Sequence, residues 1–357
     1  MHFDHSSGTS EVSSPSTVSS SKDIERANFT PKVLQDSSRS VSDSKKNSLW
    51  TSVPSLVFIW YFTSIFSITT SKAILLNRPY PYVLCLCQCV VAYGISFCIS
   101  TSTKSYKALN GSSMFLVISV GVTYTLGFIL TNMAFSKVSA SFAETVKASE
   151  PLTSVLLGYI FYAEFLSTKA YLTLIPICIG VATSCASSDS FNVVGFSLAM
   201  GSNFFFSSRA VLSKLLMRSY PDAMNEISLF THISFIGVIV VLPFVLWYDT
   251  LPVVSDTALN SEANDSVSTA MLCLMYLCNG VAYTIYNLMS FMVLMRTNIA
   301  THAVLNVFRR VFIIVFTAIY FKNHLSTLNM LGIFLSIAGV LLFNAVKENK
   351  HSLNIKE

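Results

Sequence analysis

Long apolar blocks are the feature of this sequence that most constrains its fold. Each block is about as long as the roughly 20 residues that an α-helix needs to cross a bilayer. Across the chain 52% of the residues are hydrophobic and 11% are charged, whereas soluble domains contain about 25% charged residues. The blocks lie at 53–76, 81–101, 113–135, 139–163, 168–187, 192–216, 227–248, 269–294, 298–321 and 327–346. The sequence therefore predicts an all-α membrane protein with ten transmembrane helices.

Residues 1–47, which precede the first block, are rich in serine and poor in apolar residues. Such a segment buries too little surface to offset the entropy cost of ordering it, so we expect a disordered tail. It has no apolar core of the kind found in signal peptides, and it mixes acidic with basic residues, which transit peptides avoid. We therefore expect no cleavable targeting segment, and we expect residues 348–357 to form a second, short tail.

Loop charges predict the orientation of the chain in the membrane. Ten crossings place both termini on one side, and most of the Lys and Arg residues between the blocks fall on that side. The longest loop on the other side, around residues 249–268, contains acidic residues and no Lys or Arg. By the positive-inside rule both tails face the cytosol. The net charge of +5 is therefore a sign of topology and does not indicate nucleic-acid binding.

An internal repeat relates the two halves of the chain. Residues 160–168 (IFYAEFLST) align with residues 319–327 (IYFKNHLST), and the same offset of 159 aligns Ile179–Val181 with Ala338–Val340. A five-helix unit that is used twice must be inverted the second time, because five crossings end on the opposite face. Inverted repeats are typical of secondary transporters. The sequence thus predicts two inverted five-helix repeats, at 48–190 and 191–347.

Three cations lie at comparable depth in apolar blocks, away from the block ends. Lys147 is in the fourth block, and Arg309 and Arg310 are in the ninth, which is the equivalent block of the second repeat. A charge at bilayer depth is costly, so it faces protein or water and usually marks function. Three cations at similar depth indicate an anion site, and phosphate suits them because Arg offers bidentate donors and Lys a compact charge.

Glu144 and Glu150 lie three residues before and after Lys147. This spacing places them on neighbouring turns of one helix, where they can neutralise Lys147 in a purely structural ion pair. Lys72 and Arg209 lie towards the ends of their blocks, where a long side chain can reach the membrane interface. For these four residues the sequence leaves open whether they act in gating, in ion pairing or in anchoring.

All eight cysteines lie within apolar blocks. Cys85, Cys87 and Cys89 alternate along the second block, and on a helix this spacing spreads them around the axis instead of gathering them for chelation. We expect them to be packing residues, and we expect no metal site and no cofactor.

Four segments resemble the signature segments of the plastidic triose-phosphate/phosphate translocator family. They are residues 127–132 (GFILTN), 141–151 (SFAETVKASEP), 286–291 (YNLMSF) and 301–310 (THAVLNVFRR). The resemblance covers residues from about 50 to 347, and it is closest to the plastid outer-membrane or apicoplast-like type. It implies the drug/metabolite transporter superfamily, with ten helices in inverted halves that exchange inorganic phosphate for phosphorylated metabolites.

The resemblance also assigns roles to single residues. It implies that Lys147, Arg309 and Arg310 bind phosphate, with Arg309 standing where the family has lysine. It implies that Thr131 and Tyr286 contact the substrate. Phe128 and Glu144 stand at positions where members of the family carry histidine. The loss of the histidine at position 128 removes a donor to a substrate hydroxyl group, so narrow selectivity for triose phosphate is not expected.

We therefore expect an antiporter that exchanges inorganic phosphate for triose phosphate, 3-phosphoglycerate or phosphoenolpyruvate by alternating access. Closing the cavity without phosphate would desolvate unpaired cations at several kcal/mol each, so the cation cluster predicts strict exchange. One alternative is a nucleotide-sugar antiporter that uses nucleoside monophosphates. An alternative of another class is a membrane receptor or an enzyme, although the sequence contains no His-Glu-x-x-His motif and no glycine-rich phosphate loop.

The expected partners are inorganic phosphate, small phosphorylated metabolites and membrane lipid, with no nucleic acid and no protein partner. The expected location is the outer membrane of a complex plastid. A Golgi or endoplasmic reticulum membrane is the alternative.

Overall fold

A computed structural model describes most of the chain from Ser52 to Leu353. The described residues are 52–109, 111–162, 168–188, 191–220, 224–250, 269–297, 299–323 and 326–353. The predicted disordered tail at 1–47 lies outside them. The last helix continues to Leu353, so the short C-terminal tail predicted from residue 348 is helical over its first residues.

The described residues form α-helices and one π-helical turn, and none of them is in a β-strand. Pro54 and Pro81 lie in the first turns of the first two helices, where the missing backbone N–H costs nothing. The helices are α1 (Val53–Asn77), α2 (Pro81–Ser102), α3 (Gly111–Lys137), α4 (Ala140–Lys147), α5 (Glu150–Tyr162), α6 (Thr168–Leu172), α7 (Leu174–Ala186), α8 (Val193–Ser219), α9 (Glu226–Phe244), α10 (Thr269–Arg296), α11 (Ile299–Tyr320) and α12 (Thr327–Leu353), and the π-helical turn Val245–Asp249 follows α9.

Eight helical segments within the described residues are long and apolar enough to cross a membrane. The fourth and sixth of the ten predicted blocks are not among them. The fourth block forms the short helices α4 and α5, and the sixth forms α8, which is long enough to cross but carries Asn203 and Arg209. In these two blocks Glu144, Lys147 and Asn203 are buried in the protein interior.

The surface of the helical unit is apolar. Phe58, Phe115, Trp247 and Ile319 each expose more than two thirds of their area, whereas many serine, threonine and asparagine side chains are buried. In a lipid bilayer the surroundings are as apolar as a protein core, so polar groups are stabilised inside, where other helices satisfy them. This distribution agrees with a multi-pass membrane protein.

The break between α4 and α5 lies at Ala148 and Ser149. Pro151 causes it, because a proline ring clashes with the carbonyl group four residues earlier, here that of Lys147. Asn203 of α8 compensates for the break by donating to the Val146 carbonyl at 3.2 Å and to Ser149 Oγ at 3.3 Å. Lys147 therefore ends one helix and Glu150 begins the next.

Helix packing brings the broken segment to the centre of the charged cluster. Helix α4 packs against α11 and α8, and α5 also packs against α8. Helix α1 packs against α10 and α11. Arg309 and Arg310 therefore lie between α4 on one side and α1 with α10 on the other.

Candidate functional site

Glu144 joins Lys147 and Arg310 into one charged cluster. Lys147 Nζ donates to Glu144 Oε1 at 3.4 Å, and Arg310 Nη1 lies 3.5 Å from Glu144 Oε2. Arg310 Nη2 also donates to Glu150 Oε2 at 2.6 Å. The ion pairs link the two sides of the helix break to α11, so the structure brings together four of the ionisable residues that the sequence singled out.

Arg309 points to the other side of α11. Its Nε and Nη2 donate to Asn306 Oδ1 at 3.1 and 3.0 Å. Its guanidinium carbon lies 5.4 Å from the centre of the Trp60 ring and 6.0 Å from that of Tyr286, within cation–π range. Arg309 and Arg310 diverge because neighbouring residues on a helix are about 100° apart.

Lys147, Arg310 and Glu144 are removed from solvent, whereas the side chain of Glu150 is 33% exposed. The side chains of Lys147 and Arg310 are 10% and 12% exposed, and that of Glu144 is 2% exposed. Lys147 also lies 5.3 Å from the Phe206 ring centre. When Arg309 on the other side of α11 is counted, three cations face two carboxylates, so the site as a whole carries a net charge of +1 that favours an anion. Coulomb interactions are stronger here than in water because the surroundings are less polarisable.

A cavity of about 200 Å³ opens beside the cluster, between the helix break, α11 and α12. Lys147, Glu150 and Arg310 of the cluster form one wall of the cavity, and the opposite wall is largely apolar. The other lining residues are Ala148, Pro151, Ser154, Ala303, Asn306, Val307, Ile314, Ile337, Val340, Phe343 and Asn344. A small anion that enters this cavity meets Lys147 and Arg310 directly.

Comparison with known proteins identifies the family. Residues 51–344 match the model of the Triose-phosphate Transporter family. The chain belongs to this family. It is 31% identical over 301 residues to phosphoenolpyruvate/phosphate translocator 3 of Oryza sativa subsp. japonica, covering 83% of this chain and 74% of the relative. Similar values hold for phosphoenolpyruvate/phosphate translocator 1 of Arabidopsis thaliana (31%, 93% and 81%) and the triose phosphate/phosphate translocator of Pisum sativum (32%, 81% and 71%).

The substrate-site residues expected from the family resemblance, Thr131, Tyr286 and Phe128, do not line the cavity. Tyr286 is next to Arg309. The Thr131 hydroxyl donates to the Gly127 carbonyl at 2.8 Å and is buried. Phe128 packs between Tyr124, Phe206 and Tyr283, with ring centres 4.8–5.0 Å apart. Because aromatic rings surround it, Phe128 offers packing where the family resemblance places a histidine donor.

Lys72 forms hydrogen bonds to backbone carbonyl groups outside the charged cluster. Its Nζ donates to the carbonyls of Phe135 and Val138 at 2.6 and 2.8 Å. These carbonyls are at the C-terminal end of α3, where a cation stabilises the helix. Among the described residues Lys72 makes no ion pair, so its contacts are those of a helix cap rather than of an interface anchor.

Arg209 faces the aromatic residues of α3. Its guanidinium lies 5.4 Å from the Tyr124 ring centre, and its buried Nε has no hydrogen-bond partner among the described residues. No carboxylate in the described part of the chain lies within ion-pair distance of it. The side chain thus reaches inward instead of extending to the membrane interface.

Sequence reasoning missed Trp60 and Asn306. Asn306 precedes Arg309 by three residues, so helical spacing contains a signal for this contact. Trp60 is in α1, and no local pattern indicates that α1 packs beside α11. Trp60 also stacks on His302, with ring centres 5.0 Å apart. Trp60 therefore lies between His302 and Arg309, a position that only the packing of α1 against α11 reveals.

Proposed function

We propose that this protein is an antiporter that exchanges inorganic phosphate for phosphorylated three-carbon metabolites. The observation that carries the proposal is the buried cluster of Lys147 and Arg310 beside a cavity, in a chain that belongs to the Triose-phosphate Transporter family. Its relatives are named as phosphoenolpyruvate/phosphate and triose phosphate/phosphate translocators. These names favour a phosphate-coupled exchange over nucleotide-sugar transport.

In this proposal Lys147, Arg309 and Arg310 bind the phosphate group. Guanidinium groups give bidentate, charge-assisted hydrogen bonds to phosphate, and the ammonium of Lys147 adds a point charge. Thr131 and Tyr286 contact the carbon skeleton, and Phe128 closes the aromatic side of the site. Glu144, Glu150 and Arg209 tune the charge around the substrate, and Lys72 fixes α1 to the end of α3.

Exchange in proteoliposomes tests this function. Purified protein is reconstituted into vesicles that contain phosphate, and the uptake of labelled phosphate is measured. In parallel vesicles dihydroxyacetone phosphate, 3-phosphoglycerate, phosphoenolpyruvate or UMP replaces the internal phosphate. We expect stimulation by the three-carbon phosphates and a loss of about 100-fold in Arg310→Ala, because the phosphate group loses its charge-assisted guanidinium donors. Lys137→Ala, at the exposed end of α3, is the control. Stimulation by UMP alone would contradict the proposal.

We also propose ten membrane crossings in two inverted repeats, at 48–190 and 191–347. The packing supports this arrangement, because it is the same when each helix is replaced by its equivalent in the other repeat. Helix α1 packs on α10, and their equivalents α8 and α3 also pack on each other. The equivalent helices α2 and α9 pack on each other, and so do α7 and α12. The contacts where α7 crosses α12 are also symmetric, because the offset of 159 relates Gly180 to Gly339 and Ile177 to Ser336. A Cβ atom built on Gly180 would approach Ser336, and one built on Gly339 would approach Ile177.

The inverted repeat makes a testable statement about topology. Tags placed near Tyr106, between α2 and α3, and near Lys322, between α11 and α12, are expected on opposite sides of the membrane. The tag near Tyr106 shares the side of both termini. Protease protection in sealed vesicles measures this, and two tags on one side would contradict the inverted arrangement.

For the location we propose the outermost membrane of a complex plastid, with both tails in the cytosol. The loop charges favour cytosolic tails, and the named relatives are chloroplastic. Of the membranes around such a plastid, only the outermost one borders the cytosol. Imaging of a tagged chain together with protease digestion of intact organelles tests this, and a Golgi or endoplasmic reticulum signal would refute it.

A further inference from the structure

Glu144 is a fully enclosed carboxylate in contact with two of the proposed phosphate-binding cations. Its residue is 1% exposed, and its two oxygens face different partners: Oε1 faces Lys147 at 3.4 Å and Oε2 faces Arg310 at 3.5 Å. A phosphate bound between Lys147 and Arg310 would pair with the same two cationic groups. Glu144 and phosphate are thus alternative anions for one pair of cations.

Glu150 is less suited than Glu144 to replace phosphate as the anion that pairs with both cations. It approaches Arg310 alone, at 2.6 Å, and its side chain is 33% exposed beside the cavity. Its charge is therefore partly screened by solvent. Glu144 is the carboxylate that reaches both cations from the buried side, on the helix that ends at Lys147.

The presence of Glu144 changes the energy of the carrier when no phosphate is bound. Strict exchange is expected where closure of an unloaded cavity leaves buried cations unpaired, at several kcal/mol each. Here the chain itself supplies a carboxylate that pairs with Lys147 and Arg310. Glu144 removes part of this cost. It therefore lowers the energy barrier that the unloaded carrier crosses when it returns to the other side of the membrane.

We infer that Glu144 is a built-in substitute for the phosphate anion, and that this carrier therefore catalyses net phosphate transport in addition to exchange. The inference rests on the proposed function. It concerns the coupling of the exchange and not the identity of the substrate. It also implies competition: phosphate must displace Glu144 from the two cations, which weakens apparent phosphate binding.

Two flux measurements on the same proteoliposomes test the inference. Vesicles are loaded with labelled phosphate, and the membrane potential is held near zero with potassium and valinomycin on both sides. Efflux into phosphate-containing buffer reports exchange, and efflux into phosphate-free buffer reports net transport. The wild type is compared with Glu144→Gln, with Glu144→His and with the control Glu226→Gln at the start of α9, outside the charged cluster.

We expect saturable net efflux in the wild type and in Glu226→Gln. In Glu144→Gln we expect the ratio of net efflux to exchange to fall by about tenfold or more, because Lys147 loses its carboxylate and Arg310 keeps only the partly exposed Glu150. The KM for phosphate should fall at the same time, because a competitor is removed. A purely structural role for Glu144 would lower both fluxes together and leave the ratio unchanged.

Exchange without any net efflux in the wild type would overturn the inference and leave the proposed function intact. An unchanged ratio in a folded Glu144 variant would overturn it as well. Absence of both fluxes would contradict the proposed function itself. If Glu144→Gln does not fold, the wild-type measurement and Glu144→His, which carries the residue expected from the family resemblance, still decide the question.

Discussion

At the scale of single residues, the two arginines of α11 have different surroundings. Arg310 is held by carboxylates, whereas Arg309 is held by the amide of Asn306 and by the faces of Trp60 and Tyr286. Cation–π contacts of a desolvated guanidinium contribute about 2 kcal/mol or more. We infer that Trp60 is a positioning residue for Arg309.

The effect of Trp60 is measurable in exchange kinetics. We expect Trp60→Leu to raise the KM for phosphate by roughly tenfold, corresponding to about 1.4 kcal/mol, and Trp60→Phe to raise it less because an aromatic face remains. The control is Trp247→Leu, which removes an indole that is 79% exposed. If Trp60→Leu and Trp247→Leu have the same KM for phosphate, Trp60 does not position Arg309.

At the scale of helices, Asp249 fixes the start of α2. Its Oδ2 accepts from the backbone N–H groups of Tyr82 and Val83 at 3.0 and 2.9 Å. The first N–H groups of a helix have no partner within the helix, and a carboxylate there also interacts favourably with the helix dipole. The π-helical turn that follows α9 carries Asp249, so this cap connects α9 to α2.

Removal of this cap is expected to destabilise the protein. Asp249→Ala should cost about 1–2 kcal/mol and lower the Tm of the detergent-purified protein by a few degrees. Asp249→Asn, which keeps an acceptor oxygen but loses the charge, should lower the Tm less. An unchanged Tm in Asp249→Ala would show that water or another group replaces the cap.

The sequence predicts helices well and helix neighbours poorly. The apolar blocks locate most helices to within a few residues, because the bilayer sets their length. The break at Ala148 and Ser149 was not predicted, although Pro151 is a visible signal for it. The pairing of Lys147 with Glu144 follows from their spacing on one helix, but their joint contact with Arg310 depends on how α4 meets α11. The sequence has no local signal for that contact.

At the scale of the whole molecule, two tyrosines join the halves of the chain. Tyr283 donates its hydroxyl hydrogen to the Tyr124 oxygen at 3.0 Å, and Tyr124 donates to Asn287 Oδ1 at 3.0 Å. Tyr124 and Tyr283 are separated by 159 residues, the offset of the internal repeat. Residues that are equivalent in an inverted repeat meet only on the axis that relates the repeats. This contact therefore supports the proposed inverted repeats, with an axis between α3 and α10, beside Phe128.

A double-mutant cycle tests whether this contact couples the two halves. Tyr124→Phe and Tyr283→Phe each remove a hydroxyl from the same hydrogen bond, so the fall in Tm of the double variant should be smaller than the sum of the two single falls. The expected coupling is about 0.5–1.5 kcal/mol, the net contribution of a buried hydrogen bond. Tyr93→Phe combined with Tyr283→Phe is the control, because the Tyr93 ring packs on Phe97 and Phe235 instead, and its effects should be additive. Additive effects in both pairs would mean that the tyrosine contact does not hold the repeats together, and the support for an axis at this position would be lost.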